Sequence, residues 1–221
     1  SLPSFAEGMS STLANFPFNS LTLLFGTEAN AAYHIGRRIY QQLTGPLYRS
    51  FSTVSSITVG QLLGDGEAGD ARYAAGAILA LSLGTLGVAG AGMFVAAEEL
   101  VRVFTRDRTT IGYAVGFTRT FAVSMLFFGI FFPLAGTLRG AGDTRTPFYA
   151  RLLGSVVFML GVSYLLAFVL DYGIVGVYVG LVLSYASWAV VVVAGFLRGD
   201  WVGTAESMIA DRAAMEEEAE D

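Results

Sequence analysis

Apolar residues along this chain gather into long runs, and charges fall between the runs. Residues 73–97, 120–138, 152–170 and 172–197 contain no Asp, Glu, Arg or His. A bilayer-crossing helix needs about 20 predominantly apolar residues. Inside lipid the backbone must satisfy its own hydrogen bonds, so runs of this length predict helices. The pattern predicts six spans, at about 2–25, within 31–63, and at about 71–97, 111–137, 147–170 and 174–197. Glu7 interrupts the first span and Pro17 is expected to kink it. The tight turn Asp171-Tyr172-Gly173 joins the last two. The expected fold class is an all-α integral membrane protein, a bundle of six transmembrane helices over residues 1–201. An acidic tail follows at 202–221, beginning as a short amphipathic helix and ending disordered.

The second span is the least hydrophobic and has two faces. Arg38, Gln42, Gly45, Arg49, Ser52, Ser56 and Gly60 recur at helical spacing, with Ile39, Leu43, Leu47, Phe51, Val54 and Ile57 roughly opposite. Such a helix either lies flat in the interface or lines a polar cavity within the membrane. Its length favours the cavity.

Composition supports the membrane reading. Of 221 residues, 54% are hydrophobic and only 14% charged, with mean hydropathy +0.59, against about a quarter charged in ordinary soluble domains. No cysteine is present, which excludes disulfides, thiolate metal sites and cysteine nucleophiles. The net charge of −5 comes mostly from residues 206–221, and every basic residue is Arg. Arginines fall almost equally on the two sides that six spans define, so the positive-inside rule sets no orientation. The chain opens on Ser with an apolar helix almost at once, which leads us to expect a fragment, with a processed product as the alternative.

Glycines inside helices, Gly84, Gly87, Gly90, Gly92, Gly176 and Gly180, are expected to let backbones approach closely. Two glycine-rich loops stand out. Gly60–Asp70 lacks the Gly-Lys-Ser/Thr of a phosphate loop and the acid spacing of a calcium loop, so it reads as a helix end, a turn and a new start near Asp70. In Leu138-Arg139-Gly140-Ala141-Gly142-Asp143-Thr144-Arg145-Thr146-Pro147, Gly140 and Gly142 permit a left-handed helix exit. Asp143 or Thr144 can cap the next helix, and Pro147 suits its first turn. Arg139 and Arg145 can bind the Asp143 carboxylate or helix-end carbonyls.

The run from Ala135 through this loop to Pro147 resembles the connector of the multidrug and toxic compound extrusion (MATE) transporters. Residues 30–39 are similar to the start of the second helix of that family's repeat, and Val59–Gly66 to the loop after it. The resemblance covers about 2–201. It implies one lobe of a two-lobe transporter, the C-terminal one, partnered by an N-terminal lobe of the same protein. It also implies a multi-pass location in the plasma membrane, with the termini, glycine loops and acidic tail cytoplasmic. The implied activity is secondary antiport of drugs, organic cations or metabolites against Na⁺ or H⁺, with no other cofactor. A related lipid-linked saccharide flippase and a non-transporting membrane subunit are the alternatives; a flippase cavity should be strongly cationic. An intramembrane enzyme would need convergent His, Cys, Asp or metal ligands, which one His and one Glu do not supply.

Ionisable groups within spans are functional candidates because they are costly there. Glu7 is the candidate for exchanging a proton or Na⁺, or else a snorkelling interfacial acid. Arg49, near mid-membrane, either pairs with an acid or lines an anion route. Asn15 and Asn19 either bind cargo or satisfy carbonyls freed by Pro17. The fourth span carries Phe117, Phe121, Phe128, Phe131 and Phe132 on one broad face. Of these, Phe121, Phe128 and Phe131 are the candidate cargo contacts; ordinary packing is the alternative. That span contains no acid, so coupling carboxylates that some family members place there are missing.

Overall fold

The computed structural model describes residues 18–199, 201–203 and 207, and within them every regular element is helical. Glu7, Asn15, Pro17 and nearly all of the acidic tail lie outside the described residues. Residues 18–23 are the described part of helix α1. There follow α2 (Thr27–Gly64), α3 (Ala68–Val95), α4 (Ala97–Arg102), α5 (Arg108–Gly140), α6 (Arg145–Leu153, continued by wider π-helical turns at Gly154–Val162 and Leu165–Val169) and α7 (Ile174–Arg198). Four of these stretches are long and apolar enough to cross a membrane: Ala68–Val95, Arg108–Gly140, Arg145–Val169 and Ile174–Arg198. At 38 residues α2 is longer still, but its arginines lower its hydropathy.

Helix α5 occupies the centre. Phe117, Phe121, Met125, Phe131, Leu134 and Leu138 are almost wholly buried along it. Asp107 caps its start, accepting from the Thr110 backbone N–H at 2.8 Å and the Thr110 hydroxyl at 2.7 Å. These bonds hold the Asp107 carboxyl below the usual carboxylate range. The outer helices bury one narrow stripe each. On α3 the stripe is Ala71, Ala75, Ser82, Leu86, Gly90 and Met93, whereas Leu81, Val88 and Val95 point outward with 64–79% of their surface exposed. An apolar outward face of this kind is suited to lipid rather than water. The stripe on α2 behaves likewise: Leu43, Leu47, Val54 and Ile57 are exposed, while Ile39 is buried.

Short α4, absent from the sequence expectation, follows α3 directly. Arg102 and Glu98 pair across one of its turns at 2.6 Å, and the hydrogen bond from Arg102 lowers the Glu98 pKa. At the start of the bundle, Asn30 on α2 donates to the Asn19 carbonyl (3.1 Å) and the Thr22 hydroxyl (2.7 Å) of α1. Beyond α7, Trp201 stacks on Phe196 with ring centroids 5.3 Å apart, and both Trp201 and Val202 are buried.

The two glycine loops are geometric copies. After α2, Gly66 N–H donates to Leu63 O and Glu67 N–H to Leu62 O; after α5, Gly142 N–H donates to Arg139 O and Asp143 N–H to Leu138 O. Each is a Schellman ending, with a left-handed glycine at the C′ position: Gly66 at φ 79° and Gly142 at φ 89°. Asp143 then caps α6, accepting from the backbone N–H groups of Arg145 and Thr146, both at 3.0 Å, and from the Thr146 hydroxyl at 2.5 Å. The carboxylate is thus occupied by a helix start. Pro147 is buried in the first turn of α6.

Candidate functional site

A cavity of about 560 Å³ opens among α2, α5, α6 and α7, within the usual range for small-molecule sites. Its walls combine aromatic rings with guanidinium groups. Helix α2 presents Tyr33, Arg37, Tyr40, Gln41, Tyr48 and Arg49, followed by Ser52 and Thr53. Phe128, Phe132 and Arg139 come from α5, Arg151, Ser155 and Met159 from α6, and Tyr185 and Trp188 from α7.

The rings interlock across helices. Tyr40 stacks on Phe121 and Tyr48 on Phe132, each with centroids 4.3 Å apart. Phe128 meets Tyr185 edge-on at 4.7 Å, and Tyr185 meets Trp188 at 5.1 Å. Ring contacts of this type add to the burial of their surface. The Arg151 guanidinium lies 5.3 Å from the Phe131 ring centre, 5.5 Å from Trp188 and 5.8 Å from Phe132, which is cation–π range. Arg139 reaches Ser52 at 3.5 Å. Arg37 is in hydrogen-bonding reach of Tyr33.

Helix α2 does line the cavity, and Arg49 and Ser52 of the expected polar face are on its wall, but the rest of that face is not. Arg38 and Gln42 are exposed and absent from the cavity wall, and Ser56 and Gly60 pack toward α5, where Gly60 approaches the Gly140 carbonyl. In the first half of the helix the facing residues are Tyr33, Arg37, Tyr40 and Gln41, displaced by one residue, or about 100° around the helix, from Arg38 and Gln42, whereas Tyr48, Arg49 and Ser52 face the cavity further on. The interval between tyrosines was the missed signal. Tyr33, Tyr40 and Tyr48 repeat at near-heptad spacing with Arg37 and Gln41 between them.

Of the candidate residues, Arg49 lines the cavity and has no ion pair among the described residues. Asn19 is at the α1–α2 corner, where its carbonyl accepts from Asn30, and is not among the cavity-lining residues. Phe128 lines the wall; Phe121 and Phe131 stand behind it, fully buried. From the connector, Arg139 reaches the cavity, Gly142 and Asp143 shape the loop, and Arg145 is exposed. Leu138 is buried and Gly140 packs on α2. Glu7 and Asn15 lie outside the described residues. Among the described residues no His, Cys, Asp and Glu cluster could hold a metal.

Apolar outward faces around a polar, ring-lined cavity define a multi-pass helical membrane protein. The model of the MatE family matches residues 3–165, and the chain belongs to that family. Multidrug and toxin extrusion protein 1 of Oryctolagus cuniculus is 28% identical over 151 residues, 68% of this chain and 26% of that protein. A probable multidrug resistance protein NorM of Thermotoga maritima is 24% identical over 204 residues, 88% of this chain and 43% of that protein. Among solved structures, the MATE transporter ClbM in complex with Rb⁺ matches at TM-score 0.82 and 24% identity, covering 92% of this chain and 48% of its own. The chain therefore spans less than half the length of these relatives.

Proposed function

We propose that this chain is the C-terminal lobe of a secondary antiporter that exports small organic compounds, drugs or metabolites, in exchange for Na⁺ or H⁺. The observation that carries this reading is a ring-lined cavity inside a lobe of the MatE fold. An N-terminal lobe of the same protein supplies the opposing wall, and the two rock around the site in alternating access. The protein resides in the plasma membrane, with both glycine loops and the acidic tail cytoplasmic. Glu7 is the candidate coupling carboxylate of this lobe, because α5 contains no Asp or Glu between Gly112 and Thr137. Burial and neighbouring charge would set its proton affinity.

Full-length protein reconstituted in vesicles tests the reading. Substrate movement should follow an imposed Na⁺ or proton gradient, and absence of gradient-dependent movement sinks the proposal. Glu7→Gln should uncouple transport from the ion. Unchanged coupling in that variant assigns the ion site to the other lobe.

A further inference from the structure

We infer that the wall this lobe contributes recognises an organic anion with a planar aromatic body, not an organic cation. This deepens the exporter reading and rests on it. Four arginines line the cavity, Arg37, Arg49, Arg139 and Arg151, and no Asp or Glu stands among its described lining residues. A single carboxylate reaching it from Glu7 would still leave the wall net positive. A cationic cargo would meet repulsion at this wall, strengthened by the low dielectric; a carboxylate, sulfonate or phosphate would meet attraction and forked N–H donors.

Three of the four arginines share one part of the cavity. Ser52, one helical turn from Arg49, is the contact of Arg139. Phe132 lies under Arg151 and stacks on Tyr48, the neighbour of Arg49. Arg49, Arg139 and Arg151 thus line the same part of the cavity as the Tyr48–Phe132 pair, while Arg37 stands about 18 Å of helix away from Arg49. The rings of Tyr40, Tyr48, Phe132 and Trp188 beside this cluster can stack on a flat aromatic body. Arginine near mid-membrane, where the sequence pattern is expected to put Arg49, costs about 2.5–3.5 kcal/mol on insertion scales, and Arg49 stands in the cavity without an ion pair among the described residues.

The test uses the full-length protein in vesicles with a Na⁺ or proton gradient, carboxyfluorescein as the aromatic anion and ethidium as the aromatic cation. Gradient-driven carboxyfluorescein movement is expected. Arg49→Gln and Arg151→Gln should each lower it about tenfold, Arg49→Lys, which keeps the charge but not the fork, should lower it less than Arg49→Gln, and Arg38→Gln, outside the cavity, should leave it unchanged. Movement of ethidium alone, or carboxyfluorescein movement indifferent to Arg49→Gln, overturns the inference and leaves the exporter reading standing. If neither dye moves, the exporter reading fails, and carboxyfluorescein anisotropy with detergent-solubilised protein decides the anion site alone. Binding that Arg49→Gln abolishes and Arg49→Lys retains upholds the site; no binding, or equal binding by all variants, overturns it.

Discussion

Gly136 and Gly140 are where α5 comes closest to α2. A Cβ at Gly136 would overlap the Ser52 carbonyl oxygen, and one at Gly140 would lie 2.5 Å from the Ser56 oxygen. Beside them the Ser55 and Thr137 hydroxyls share a buried hydrogen bond of 2.8 Å. Small residues gain packing contact in lipid by this approach. Gly136→Ala should therefore destabilise the bundle by about 1–3 kcal/mol, the usual cost of overpacking. Gly84→Ala, where no atom stands within 4 Å of the added Cβ, should be neutral or stabilising. Thermal unfolding in detergent checks both, and equal effects would remove the close crossing from the account. The sequence made glycine packing legible as a habit but not residue by residue. Gly90, Gly176 and Gly180 do pack against neighbouring helices, whereas Gly84 and Gly92 face open space. The difference lies in which way each helix is turned, and on α3, apolar all round, nothing in the residue pattern records that rotation.

At the scale of elements, the connectors carry more local information than the helices. The α5–α6 loop could be read as a left-handed glycine exit followed by a cap because both depend on neighbours within a few residues. Whether Arg139 and Arg145 meet the Asp143 carboxylate or helix-end carbonyls is not local in this way, and Asp143 gives its oxygens to the first turn of α6. Asp143→Ala should cost about 1 kcal/mol, the usual loss for an N-terminal cap, with faster hydrogen exchange confined to the start of α6. Exchange spread over the whole bundle would mean that the loop does more than cap. The π-helical turns after Leu153 were not legible in advance. Gly154 lies directly against Trp188, and Gly176 and Gly180 of α7 against Ala167 and Ser163, so the widened path accompanies long-range packing that no local pattern encodes. Ser155 and Met159 reach the cavity from this widened segment. Widened turns of this kind recur at functional sites.

For the whole molecule, the cavity is a product of tertiary arrangement. Arg139 and Arg151 read in sequence as charges at helix ends, and only the bundle brings them to the same cavity as Arg49, about 90 and 100 residues earlier. The apolar perimeter was legible from the start, because membrane spans advertise themselves by length and hydropathy, and it yields a test that separates lipid from water. Leu81 sits midway along α3 with 64% of its surface exposed. In water such a position would accept arginine at little cost. In a bilayer Leu81→Arg should instead disfavour insertion of α3 by about 2.5–3.5 kcal/mol, read as a fall in the inserted fraction in a glycosylation-mapping assay. Tyr73→Arg, at a likewise exposed position (79%) near the end of the same helix, should be tolerated, because its side chain can extend to the headgroups. Depth distinguishes the two substitutions while exposure does not. Equal insertion of both would place the α3 face against water or protein rather than lipid.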